Sequence, residues 1–158
     1  MNWPVPQSGL VIRYSYLWES EAQQGREEGV KDRPCAIVLV VLREGEHPIV
    51  RVLPITHTPP KDPADALEIP AVTKGRLGLD SERSWVVLTE ANDFIWPGPD
   101  LRPAIVGDLD SVAYGFLPPK FMKVLIERLI QLYRDKKSKV TKRTEWRGSA
   151  GVARATRD

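Results

Sequence analysis

Cysteine is almost missing from this chain. Its single instance, Cys35, has no partner for an internal disulfide and sits in an apolar run, which suits a buried thiol in a reducing compartment. Histidine is nearly as scarce: His47 and His57 stand apart from each other and from Cys35, so no zinc-ligand spacing exists. No glycine-rich phosphate loop of the GxxxxGK kind occurs either, and neither a metal nor a nucleotide cofactor is expected. Long hydrophobic runs are absent too. The longest, CAIVLVVL from Cys35 to Leu42, is far below the roughly 20 residues that a membrane-spanning helix needs. No basic-then-apolar stretch opens the sequence, and a cytoplasmic protein with no membrane role is expected.

What is present suffices for one domain. The 158 residues are 42% hydrophobic, enough for a sizeable core. Charge is uneven along them. From Arg134 to Asp158 nine Lys/Arg face three acids, a net +6, while Met1 to Tyr133 holds 14 against 18, a net −4. Residues 1–135 are expected to form the folded domain and residues 136–158 a flexible basic tail. Such a tail either meets a polyanion or an acidic partner, or merely aids solubility.

Strand signals dominate. Leu10, Ile12, Tyr14, Tyr16 and Trp18 alternate along one apolar face of LVIRYSYLW, with Val11, Arg13 and Ser15 on the other. The polar segment ESEAQQGREEGVKD reads as a mobile loop. Pro34 leads into the β-branched run that makes the best central strand. Ile49–Ile55 pairs back, with Pro54 expected to push its end toward an edge or a bulge. The stretch after Thr56 has too many prolines for regular structure. Leu67–Ile69, Arg83–Leu88 and Ala91–Trp96 read as strands, KGRLGLDSE as a turn, and Val112–Leu117 as the last strand. After Pro118 and Pro119, polar residues at Lys120, Lys123, Glu127, Gln131 and Arg134 recur at helical spacing among apolar ones, giving a terminal amphipathic helix. The pattern predicts a mainly β fold, a small antiparallel barrel with a C-terminal α-helix.

Five marks occur in order: GLVIRYSY, KDRPCAIVLVVL, VRVLPIT, LGLDSERSWVVLTEAN and YGFLPPKF. Together they resemble the MazF/PemK growth-inhibitor toxins over about Gly9 to Tyr133. The WPGPDLRP segment, the prolines after Thr56, the basic tail and Leu10, where the family often has an acid, depart from that pattern. The resemblance implies an SH3-like barrel and a metal-independent endoribonuclease. It also implies a homodimer with single-stranded RNA in its groove and a proteic antitoxin as partner. In that chemistry the RNA 2′-OH attacks the adjacent phosphorus, leaving a cyclic phosphate and a 5′-OH.

The resemblance puts Arg33 and Thr56 at the catalytic positions. A guanidinium stays charged and matches a phosphate with its planar fork, and a threonine hydroxyl at a strand end can donate to a phosphate oxygen. Auxiliary candidates are His57, whose unperturbed pKa suits proton transfer near neutrality, the loop acids Glu28 and Asp32, and Glu90, near a groove-lining family position. Trp18, Trp96 and Arg102 are the candidate RNA contacts, through base stacking and phosphate binding. Trp96, beside the Pro-Gly-Pro loop, is expected to be the most exposed of the aromatics. Each has a plainer reading: Arg33 paired with Glu27, Glu28 or Asp32, Thr56 as a β-preferring residue, and the aromatics as core. The alternative function is a non-catalytic SH3-like module that binds nucleic acid or protein, since small barrels host many activities.

Overall fold

A computed structural model describes residues 3–25, 31–108 and 110–143. Eight strands make one sheet: β1 (Leu10–Tyr14), β2 (Arg33–Arg43), β3 (Glu46–Thr56), β4 (Ala66–Glu68), β5 (Trp85–Val87), β6 (Glu90–Ile95), β7 (Ala113–Phe116) and β8 (Lys139–Lys142). Three α-helices join them: α1 (Glu19–Gln23), α2 (Ala71–Leu77) and α3 (Pro119–Arg134). The main path runs β4-β5-β3-β2-β1-β7, with β6 branching from β3 and carrying β8. All pairings are antiparallel except β6 with β8. The mainly β class agrees with the sequence pattern.

The β-branched run forms the long hairpin β2–β3, as its composition predicts. Strand alternation divides its residues between two cores. Ala36, Val38, Leu53 and Ile55 face one side, where α3 contributes Leu125, Leu129 and Leu132. Cys35, Ile37, Val50 and Val52 face the other, among Tyr14, Tyr16, Phe94 and Trp96. Both faces are buried over this stretch: α3 covers one, and side chains of β1 and β6 with the residues that follow them pack on the other; the sheet is not closed into a barrel. Pro54 lies in a central strand rather than at an edge. It pairs with Cys35 of β2, while on its other side β3 is paired to β6 only as far as Val52 and to β5 only from Ile55, so no strand there requires its missing N–H.

Several sequence expectations need correction. Glu19–Gln23 is a helix, not loop; it starts where Trp18 N–H donates to Glu21 Oε1 at 3.1 Å. The KGRLG segment is not a turn either. Lys74 to Leu77 belong to α2, and Gly78, at φ 71°, ends that helix in the left-handed conformation, with Leu79 N–H donating to Lys74 O at 3.0 Å. The helix α3 forms as predicted, but β7 is not the last strand and α3 is not the last element, since β8 follows.

The basic tail is therefore not wholly flexible. Its residues 139–142 add a strand to β6, and Arg143 is buried. The Arg143 guanidinium donates to Tyr14 Oη at 3.0 Å, Ser15 O at 2.8 Å and Asn92 Oδ1 at 3.1 Å, and pairs with Asp100 at 3.0 Å. A charge with such partners is tolerated in a core because its donors are satisfied. The remaining tail residues, 144–158, lie outside the described part of the chain.

Arg143→Ala should cost about 3–5 kcal/mol in urea unfolding, because it leaves the Asp100 carboxylate buried without this counter-charge. Adding Asp100→Asn should recover part of the loss; simple additivity of the two would show that they do not couple.

Candidate functional site

Arg33 starts β2 and lies opposite Tyr14 of β1. The paired register of β2 with β3 ends at Cys35↔Pro54, two residues short of Arg33 on one strand and of Thr56 on the other. The two catalytic candidates thus lie near the same end of the sheet, where Arg33 pairs with Tyr14 and Thr56 with Trp85, and both are partly exposed. The Arg33 guanidinium lies over the Trp18 ring, 5.0 Å from its centroid, and donates a long 3.4 Å bond to Ile55 O. Its Nε is buried and has no hydrogen-bond partner among the described residues. Thr56 Oγ1 accepts from Thr58 N–H at 3.1 Å, which leaves its own proton to donate.

Trp18 is held from β6. Asn92, fully buried, accepts from Leu17 N–H at 2.9 Å and donates to Leu17 O at 2.8 Å. Glu90 accepts from Glu19 N–H at 3.0 Å and from Tyr16 O–H at 3.1 Å. The backbone on both sides of Trp18 is thereby fixed, and the ring that carries Arg33 with it. Burial pushes the Glu90 carboxyl above its ordinary range, against the lowering effect of those two donors. Tyr16 is driven far up by its own burial and then by the neighbouring Glu90 charge. Glu90 is therefore a support beneath Trp18 rather than an open groove residue.

Beside Arg33 is a cleft of about 390 Å³. Arg13, Lys31, Arg33 and Lys74 bring four cations to its wall, against Asp32 and Asp80. Arg13 donates to Tyr114 Oη at 3.2 Å. His57 also lines the cleft, and its Nε2 is 2.9 Å from Asp80 Oδ2. Lys74 is 4% exposed, and its ammonium donates to Asp80 Oδ1 at 2.8 Å, to Ser84 Oγ at 2.7 Å and to Glu82 O. That engages all three of its protons. The Lys74 bond above all, then Glu82 N–H and His57, holds the Asp80 carboxyl below its usual range despite partial burial. His57, Asp80 and Glu82 could converge on a cation, but Lys74 already sets a positive charge on Asp80.

The other candidates divide. Trp18 stands at the site. Trp96 is 5% exposed, in the aromatic core at 6.1 Å from Phe94; the expectation that it faces RNA is wrong, because strand alternation turns it inward with Phe94. Asp32 does not pair with Arg33; it lies 3.5 Å from Arg102, which also donates to Pro99 O and Leu101 O. Arg102 thus braces its own loop. Glu27 and Glu28 lie outside the described residues. Sequence reasoning missed Arg13, Lys74, Asp80 and Tyr114. The one available signal was a helix stop at Gly78, which would have placed Lys74 on a helix facing the strand end. No protein-family model matches the chain, and no curated protein matches it.

The raised Glu90 carboxyl has a pH consequence. A carboxyl lifted on folding adds stability while protonated, in full below its ordinary value of 4.5, and loses it as pH rises through the folded-state value. Glu90→Gln keeps an acceptor for Tyr16 and Glu19 without a charge. Its urea midpoint should exceed that of the wild type at pH ~8 and converge with it near pH ~4; a gap that is constant across this range would refute the assignment.

Proposed function

We propose that the protein is a metal-independent endoribonuclease of the MazF/PemK type, an SH3-like fold with an unclosed sheet, that cuts single-stranded RNA at Arg33 and Thr56. The observation that carries this reading is the state of Arg33. Its guanidinium is stacked on a clamped tryptophan and bonded only weakly to one carbonyl, with a buried Nε left over, at the margin of a cleft rich in cations. A fixed planar donor of this kind suits the oxygens of a phosphodiester, and is most effective where charge builds up in the phosphorane. Thr56, near the same sheet end, would donate to a non-bridging oxygen.

The step needs no cofactor. The 2′-oxygen bonds to phosphorus, the P–O5′ bond breaks, the 2′ proton passes to a base, and the 5′-oxygen takes a proton. Arg33 opposes the added negative charge, while Trp18 keeps its plane in place. Exposed Leu39, Val41 and Leu42 on the β2–β3 hairpin offer an apolar surface to a second copy or to a proteic antitoxin, partners that this reading also implies for a cytoplasmic toxin.

Incubated with single-stranded RNA in EDTA, the protein should release fragments with 5′-hydroxyl ends. Arg33→Ala should lower the rate by about 10²–10³-fold while unfolding like the wild type, and Thr56→Val by roughly tenfold. Salt-sensitive RNA binding with no cleavage would favour the non-catalytic module; full activity in folded Arg33→Ala would remove Arg33 from the site.

A further inference from the structure

We propose that Lys74, Asp80 and His57 form a positioning chain that supplies the cleft's general base, an assignment that rests on the nuclease reading above. The three residues come from separate places: α2, the loop after Gly78, and the residue just past the end of β3. They meet because the Gly78 stop reverses the chain and returns Asp80 to within reach of Lys74.

Each link has one job. Lys74 is buried, and its three donors are spent on Asp80, Ser84 and Glu82 O, so its ammonium has little freedom to move. Asp80 takes Lys74 and the Glu82 N–H, at 3.1 Å, on Oδ1, and His57 Nε2 lies across both oxygens, 2.9 Å from Oδ2 and 3.1 Å from Oδ1. A carboxylate so placed fixes the imidazole as its Nε2–H tautomer, and Nδ1 becomes the basic nitrogen. This is the logic by which an orienting carboxylate serves a catalytic histidine in other hydrolases. A metal is the poorer occupant, since the Lys74 ammonium is already 2.8 Å from Asp80 and would repel it.

The proton inventory closes. Nδ1 takes the proton of the attacking 2′-OH as the O2′–P bond forms; P–O5′ breaks, and the 5′-oxygen takes a proton from water. The resulting hydroxide recovers the proton from the imidazolium, and the base is restored. His57 would be the catalytic residue of this step, with Asp80 and Lys74 as positioning residues. Asp80 and Glu82 from the loop lie at the imidazole, and the charged groups that share its cleft are Lys74 from α2, Arg13 from β1, Arg33 at the start of β2, and Lys31 and Asp32 just before it.

The test combines kinetics with ¹⁵N NMR of the imidazole in an Arg33-intact, His47→Gln background, where His57 is the only histidine. The Nε2–H tautomer should dominate neutral His57, and Asp80→Asn should mix the tautomers. His57→Ala should lower kcat by about 10²-fold with little change in KM and erase the acid limb of the pH–rate profile. Asp80→Asn should also lower kcat, yet cost nothing further in the His57→Ala background. Lys74→Met, if folded, should behave like Asp80→Asn. Unchanged kcat and pH profile in Asp80→Asn, an additive double variant, a dominant Nδ1–H tautomer, or activation by added zinc would each overturn the chain while leaving the nuclease reading intact. An intact protein that cuts no RNA would overturn the nuclease reading, and the base assignment with it.

Discussion

The buried guanidinium of Arg143 ties together parts of the chain that the sheet alone leaves loosely joined. It reaches β1 through Tyr14, the following turn through Ser15, β6 through Asn92, and the WPGPD loop through Asp100. Asn92 is also the residue that clamps Leu17. One polar network therefore runs from the tail strand to the turn that presents Trp18, and from there to Arg33. Its cost is desolvation of two charges, offset only because nearly every donor and acceptor finds a partner.

That dependence explains how a small mainly β protein can present a charged group rigidly. Long cationic side chains on loops lose considerable rotamer entropy when they bind. Here Arg33 starts a strand, lies on an aromatic plane, and has a proline after it. Its orientation is set within the protein itself, by the strand, the ring and the proline.

The sheet was the legible part. Alternation in LVIRYSYLW and the unbroken run CAIVLVVL point to strands because period two and β-branching act locally. The helix α3 was equally clear from its polar spacing. The short helices were not. Five residues of α1 and seven of α2 are below the length at which local preference decides, and both owe their form to contacts made elsewhere, such as Glu90 beneath Glu19. β8 was hidden by its own composition, since KVTK between lysines looks like solvent-exposed tail until β6 is there to pair with it. At the site, Arg33, Thr56 and His57 could be nominated from the sequence; the helix stop at Gly78 was the one signal for Lys74, and Asp80 had none, because what makes it meaningful is a turn geometry that no spacing rule encodes.

The sheet's outer borders show one more effect of that late strand. β8 is only four residues long and has lysine at each end, both exposed. An exposed strand with free main-chain groups invites neighbouring molecules to stack on it, and a short ladder flanked by ammonium groups discourages such stacking through charge repulsion. The same basic composition that disguises this strand as tail would thus guard the folded protein against sheet-to-sheet aggregation.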